Sequence, residues 1–213
     1  MRKLAAVTFV TLDGVMQAPG GFEEDREGGF AHGGWVIPHF DQQLGAHMVE
    51  LVQRAGALLL GRKTYDIFAA SWPHAPAADP IAAVYNRIPK YVASRSPRTL
   101  DWANSHQLGA DIAGEVAKLK EQDGGEIQVP GSSELMQALM KSDLVDEFHL
   151  IVFPVIAGSG KRLFGTGAIP RALSLKSIET TANGVVIQVY ERTGDLKTGE
   201  FGPEVEEAYR SNR

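Results

Sequence analysis

The chain has 213 residues, 44% of them apolar, enough to fill a sizeable core. Its 26 acidic and 21 basic side chains give a formal net charge of −5, which argues against any general electrostatic pull toward nucleic acid or an anionic membrane. No cysteine occurs, so a disulfide framework, a thiolate nucleophile and Cys-ligated zinc or iron–sulfur sites are excluded.

Leu4 to Leu12 is a β-rich run and reads as a first strand. The charged start "MRKLAAVTFVTLDG" is expected to be strand and not signal peptide, because its apolar run is short, holds Thr8 and Thr11, and leads to no small-residue cleavage site. A long loop follows from Gly14 to Trp35, punctuated by Gly20, Gly21, Gly28, Gly29, Gly33 and Gly34. Such a chain opens and closes cheaply, as a lid does, and surface disorder explains it equally well. Phe40 to Ala55 carries Leu44, Met48, Leu51 and Val52 at helical spacing and leads into a strand, Ala57 to Leu60. Pro89 to Ser94 is a further short strand. Asp111 to Gln122 is a helix with Ile112, Val116 and Leu119 on one face. Glu126 to Val129 is a strand, Ser132 to Lys141 a helix, and Asp146 to Ile156 a long strand. No stretch approaches the roughly 20 apolar residues that span a bilayer. The expectation is a soluble, cytoplasmic protein with no membrane and no nucleic-acid partner.

The alternation of strands and helices predicts parallel strands with helical crossovers covering both sheet faces. The ending differs. "ALSLKSIETTANGVVIQVYERT" is two strand-like runs around Ala182-Asn183-Gly184, and Asn-Gly between β-rich runs is a strong hairpin signal, since both residues tolerate positive φ. An antiparallel pair is therefore expected to close a mostly parallel sheet. We read one domain over residues 1–193 and a polar tail over 194–213, with a short helix from Pro203.

The chemistry is sought at strand ends. In an open α/β sheet ligands collect beyond the carboxyl ends of the strands, where a following helix presents unpaired N–H groups and the positive end of its dipole. "LLLGRKT" ends a strand at Gly61, then supplies Arg62, Lys63 and the hydroxyl of Thr64, a set that suits a phosphate. Alone, this is as well explained by solvated charges in a turn. "YVASR" ends with Ser94 and Arg95, and "VPGSSELM" with Gly131, Ser132 and Ser133, where either serine is placed to cap the helix it opens. Three such ends on one rim fit a nucleotide with several phosphates.

"VTLDGVM", "LLLGRKTYDIF", "YVASR" and "VPGSSELMQALMKSDLVDEFHLIVFPVIAGSGKRLF" in this order resemble the dihydrofolate reductase-like superfamily, and within it the RibD C-terminal domain family of bacterial riboflavin biosynthesis, from about Lys3 to Arg192. The resemblance implies a three-layer α/β/α fold, NADPH as cofactor and a homodimer. It also implies roles by motif. Gly61, Arg62, Lys63 and Thr64 hold the cofactor's phosphates, Ser94 and Arg95 read the 2′-phosphate, and Gly131, Ser132, Ser133, Glu134 and Leu135 form the turn under the pyrophosphate. Many relatives have two adjacent glycines where this chain has Gly131-Ser132. Asp13, Gly14 and Met16 border the nicotinamide.

The implied reaction is hydride transfer to a C=N or C=O carbon of a small heterocyclic or sugar-linked substrate, resembling 5-amino-6-(5-phosphoribosylamino)uracil reduction. The protein contributes orientation, exclusion of water and a proton route. Asp41, which opens the first helix, and Asp13 are the candidate proton donors. Each has a structural alternative, Asp41 as a helix cap favoured by the dipole and Asp13 as a turn residue. Trp35 and Tyr65 are candidates for stacking on the substrate, with core packing as their alternative. A phosphorylated substrate needs dedicated cations, and Lys161 and Arg162 are the ones available. The alternative function is a non-catalytic nucleotide- or pterin-binding dimeric module.

Other motifs fail on inspection. "AGSGKRLF" lacks the first glycine of a P-loop and has Arg162 where Ser or Thr is required. The six histidines form no HExxH pattern, and no metal site is expected. The absence of cysteine excludes the zinc deaminase that accompanies such reductases in bifunctional enzymes.

Overall fold

Strand β1 (Leu4–Thr11) lies at the centre of the sheet, and seven of its eight residues are buried, as its nearly continuous apolar run requires. The computed structural model describes residues 1–165, 168–203 and 209–210. Helix α1 (Gln42–Gln53) leads to β2 (Ala55–Gly61), and α2 (Arg62–Ser71) and α3 (Pro80–Arg87) lead to β3 (Lys90–Ala93) and β4 (Ser105–Gln107). Then follow α4 (Ile112–Glu121), β5 (Glu126–Pro130), α5 (Ser133–Lys141), β6 (Glu147–Phe153), β7 (Ala172–Thr180) and β8 (Val186–Gly194). The eight strands form one sheet in the order β4-β3-β2-β5-β1-β6-β8-β7.

β1 to β6 run parallel, β8 pairs antiparallel with β6, and β7 with β8, so a C-terminal hairpin completes the sheet. Alternation along the strands separates the two faces. Leu4, Ala6 and Val10 pack with Val116, Met136 and Leu139 of α4 and α5. Val7 packs with Leu44 and Leu51 of α1, and Leu58 and Leu60 with Tyr65, Val84 and Tyr85 of α2 and α3. The result is three layers, α1 to α3 over the sheet and α4 and α5 beneath it.

Several local expectations are corrected. The last parallel strand ends at Phe153 rather than Ile156, because Pro154 has no N–H to continue the ladder. At the hairpin only Gly184 takes a positive φ, 78°. The N–H of Gly184 bonds the carbonyl of Thr181, and the loop is wider than a two-residue turn. Helix α3 is an element beyond those expected; Asp79 caps it through the N–H groups of Ile81 and Ala82, and Pro80 opens it. The helix expected from Pro203 falls largely on residues 204–208, outside those described. Among the described residues no helix is long and apolar enough to cross a membrane.

Candidate functional site

Because β2, β3 and β5 are neighbours and parallel, their carboxyl ends share one rim; Gly61 and Ala93 are register partners. α2 starts directly after Gly61 with no side-chain cap. α5 starts after Gly131 and Ser132, both left-handed at φ 60°, and also has no side-chain cap. The expectation that Ser132 caps its own helix is thus corrected. Its Oγ instead accepts the N–H of Gly61 at 2.9 Å and donates to Thr64 Oγ1 at 2.8 Å. Two helix N-termini stand side by side with their first N–H groups free of caps, an arrangement that attracts anions.

The flanking cations are available to a ligand. Arg62 lies 3.8 Å from Asp66, which is itself held by Arg98 at 2.6 and 3.0 Å. Arg95, with its side chain 96% exposed, is 3.5 Å from Glu134. Ser94 Oγ donates to the carbonyl of Ser96 at 2.9 Å. Gly61 to Thr64, Ser94, Arg95 and Gly131 to Leu135 all line a single cleft of about 1070 Å³. This donor set fits a ligand with more than one phosphate.

The glycine-rich loop closes one side of that cleft through ion pairs that the sequence did not reveal. Asp25 lies 2.5 Å and Glu27 2.6 Å from Lys161 Nζ, and Glu27 also pairs with Lys63. The buried Gln17 fixes the loop by donating to the carbonyls of Asp25 and Glu27, each at 3.0 Å, and by accepting the N–H of Lys161 at 3.0 Å. Lys161 and Lys63 hold the Glu27 carboxyl down to about 2. Burial pushes Asp25 up, but its bonds from Lys161 and the Glu27 N–H outweigh this and leave it lowered. Glu24 accepts the N–H groups of Gly20 and Gly21 at 2.6 and 3.1 Å, yet burial leaves its carboxyl raised.

Four expected substrate or proton-transfer residues have other tasks. Asp13 accepts from Thr11 Oγ1 at 2.5 Å, from the N–H groups of Gly158 and Ala157 at 2.9 and 3.1 Å, and from Arg162 at 3.2 Å. The Thr11 hydroxyl and these N–H groups lower its carboxyl to about 2. Asp13 is thus a clasp between two loops and does not line the cleft; neither does Gly14, whereas Met16 does. Asp41 caps α1 by accepting the N–H of Leu44 at 2.8 Å and also accepts from Asn183 at 3.3 Å, so it too is turned to structure. Trp35 is buried, donates to the carbonyl of Gln17 at 2.8 Å and meets Phe153 edge-on. Tyr65 is buried and accepts the N–H of Trp102 at 3.1 Å. Both aromatics are packing residues here, and neither lines the cleft.

The aromatic residues that do line it are Phe9, Phe40, Phe68, Trp72 and Tyr85. Phe68 and Trp72 stand at i, i+4 in the sequence, a spacing that put them on one face. Tyr85, which stacks on Phe68, comes from the eight-residue helix α3, too short for its apolar face to show as a repeat.

A profile of the RibD C-terminal domain matches residues 2–187. The uncharacterized protein YyaP of Bacillus subtilis is 29% identical over 198 residues, covering 91% of this chain and 96% of that protein. Among solved structures, a Shewanella sp. PV-4 protein provisionally assigned to riboflavin biosynthesis superposes with a TM-score of 0.64 at 18% identity, covering 91% of this chain and 99% of that one. Dihydrofolate reductase from Enterococcus faecalis, complexed with NADP(H), gives a TM-score of 0.57 at 11% identity, covering 90% and 96% of the two chains. The fold is therefore dihydrofolate reductase-like, and by the extent of the profile match the chain belongs to the RibD C-terminal domain family.

Proposed function

We propose that the protein is an NADPH-dependent reductase acting on a C=N or C=O carbon of a small heterocyclic substrate. One observation carries the reading: the ends of β2, β3 and β5 deliver Arg62, Ser94, Arg95 and two uncapped helix N-termini to a single cleft. The family membership and the reductase-like fold support it. NADPH, when bound, supplies a hydride to the substrate carbon while the adjacent nitrogen or oxygen takes a proton. The α2 and α5 N-termini bind the pyrophosphate, and Ser94 and Arg95 meet the 2′-phosphate. Met16 provides an apolar wall, and the loop at Glu24 to Glu27 excludes water. Glu24 is the cleft carboxyl that burial pushes up, although it too accepts two backbone N–H groups, from Gly20 and Gly21.

A second reading, a binding module without turnover, has one observation in its favour: the expected acids Asp13 and Asp41 are both committed to backbone N–H groups. Titration with NADPH and NADH followed by tryptophan fluorescence, then NADPH absorbance with pteridine, aminouracil and carbonyl compounds, separates the two. Coenzyme binding with turnover is the expected result. Binding of NADPH without any turnover favours the module, and equal or absent binding of the two coenzymes defeats the reductase reading.

A further inference from the structure

The cleft has a second wall of different chemistry from its phosphate rim. Resting on the reductase reading, we propose that the molecule reduced is an uncharged, flat heteroaromatic or conjugated carbonyl or imine compound, not a phosphate ester. Phe40 and Met48 from α1 and the loop before it, Phe68 and Trp72 at the end of α2, and Ile81 and Tyr85 of α3 all face the cleft. Phe68 stacks on Tyr85 with centroids 5.9 Å apart and planes 24° from parallel, and Trp72 stands edge-on to Tyr85 at 5.1 Å. These rings brace one another and give a firm surface for a planar ligand. None of the six residues carries a charge. A phosphate dianion brought against them loses its hydration with no cation to offset the loss.

Two of the cations that line the cleft are already paired. Lys63 and Lys161 are both bound to Glu27, and Lys161 to Asp25 as well, so two carboxylates offset the two ammonium groups at this side of the cleft. Arg162, the other cation expected to hold a substrate phosphate, is 3.2 Å from Asp13 and outside the lining. Arg62 and Arg95, each paired only loosely and at the exposed surface, with Asp66 at 3.8 Å and Glu134 at 3.5 Å, follow the ends of β2 and β3 on the coenzyme rim. One set of anionic groups is provided for, and a second is not.

The test is calorimetric titration of the NADPH-loaded full chain with quinazolin-4-one, an uncharged flat bicycle, and separately with ribose 5-phosphate. Saturable binding of quinazolin-4-one, little changed by raised salt, and no saturable binding of ribose 5-phosphate is the expected pattern. Met48→Lys is expected to weaken quinazolin-4-one about tenfold by placing a charge in the wall. Phe40→Lys, at a position 48% exposed and safe for folding, is expected to do the same to a smaller degree. Saturable, salt-sensitive binding of ribose 5-phosphate overturns the proposal. So does failure of quinazolin-4-one to bind, or binding that neither variant alters. The same titrations without coenzyme, beside a direct NADPH titration, distinguish failure of this wall from failure of the coenzyme site.

Discussion

Ser132 Oγ accepts the N–H of Gly61 at 2.9 Å and donates to Thr64 at 2.8 Å, so the turns after β2 and β5 form one hydrogen-bonded unit. The serine occupies a left-handed conformation, φ 60° and ψ 60°, that glycine adopts without penalty. Serine there holds a strained backbone and makes a contact that glycine cannot. Ser132→Ala keeps the strain and loses both bonds, an expected cost of about 1–2 kcal/mol in urea unfolding. Ser132→Gly loses the bonds but relieves about 1 kcal/mol of strain, so it is expected to be the milder change. If the alanine variant is as stable as the parent, Ser132 does not join the two turns energetically.

Arg95 follows Ser94 after the end of β3 and pairs at 3.5 Å with Glu134, both side chains being exposed so that solvent screens the pair. A charge-assisted bond from Arg95 to a 2′-phosphate is worth about 1.5–3 kcal/mol. Arg95→Gln is therefore expected to weaken NADPH binding about tenfold or more and leave NADH nearly unchanged, with a shallower salt dependence. Fluorescence titration of both coenzymes checks this. Equal weakening of the two places Arg95 away from the 2′-phosphate.

The rim was legible in the sequence because glycine, hydroxyl and cation recur after apolar runs, and parallel neighbours necessarily bring such ends together. Roles that depend on where a side chain turns were not. Asp41 precedes a helix, and the same position serves a cap or a catalytic acid. Only its bonds to Leu44 and Asn183 show that it caps. The pairing of Asp25 and Glu27 with Lys161 spans more than 130 residues and has no local signature. Strand β4 is three residues long and half exposed, too short for any periodicity to appear.

The ion pairs of Glu27 with Lys63 and Lys161 predict how the loop responds to acid. The Glu27 carboxyl is lowered from 4.5 to about 2 by Lys161 and Lys63, so its contribution is complete above about 4.5 and is lost as pH falls toward about 2. Glu27→Gln reproduces the protonated state at neutral pH. Chymotryptic cleavage after the exposed Phe22 is expected to quicken in this variant and, in the parent, with raised salt, because Glu27 is solvent-screened. Unchanged cleavage in both experiments shows that the ion pairs do not hold the loop.

Lys90 is fully buried on β3, with its ammonium 4.4 Å from the Trp102 ring centre and donating to the carbonyl of Tyr85 at 3.0 Å. Among the described residues no carboxylate forms an ion pair with it, and burial lowers its pKa from 10.5 to about 8. The unfolded chain therefore holds this proton between pH 8 and 10.5 where the folded chain has released it, and the contribution to stability rises with pH across that window. The full change is about 3 kcal/mol by linkage. Lys90→Met removes the titration and leaves the carbonyl of Tyr85 to other donors. The stability difference between parent and variant, from urea unfolding at intervals between neutral pH and pH 10.5, is expected to shift toward the parent as pH rises. A difference independent of pH shows that Lys90 keeps its proton when buried, held by the indole face and the helix C-terminal carbonyls.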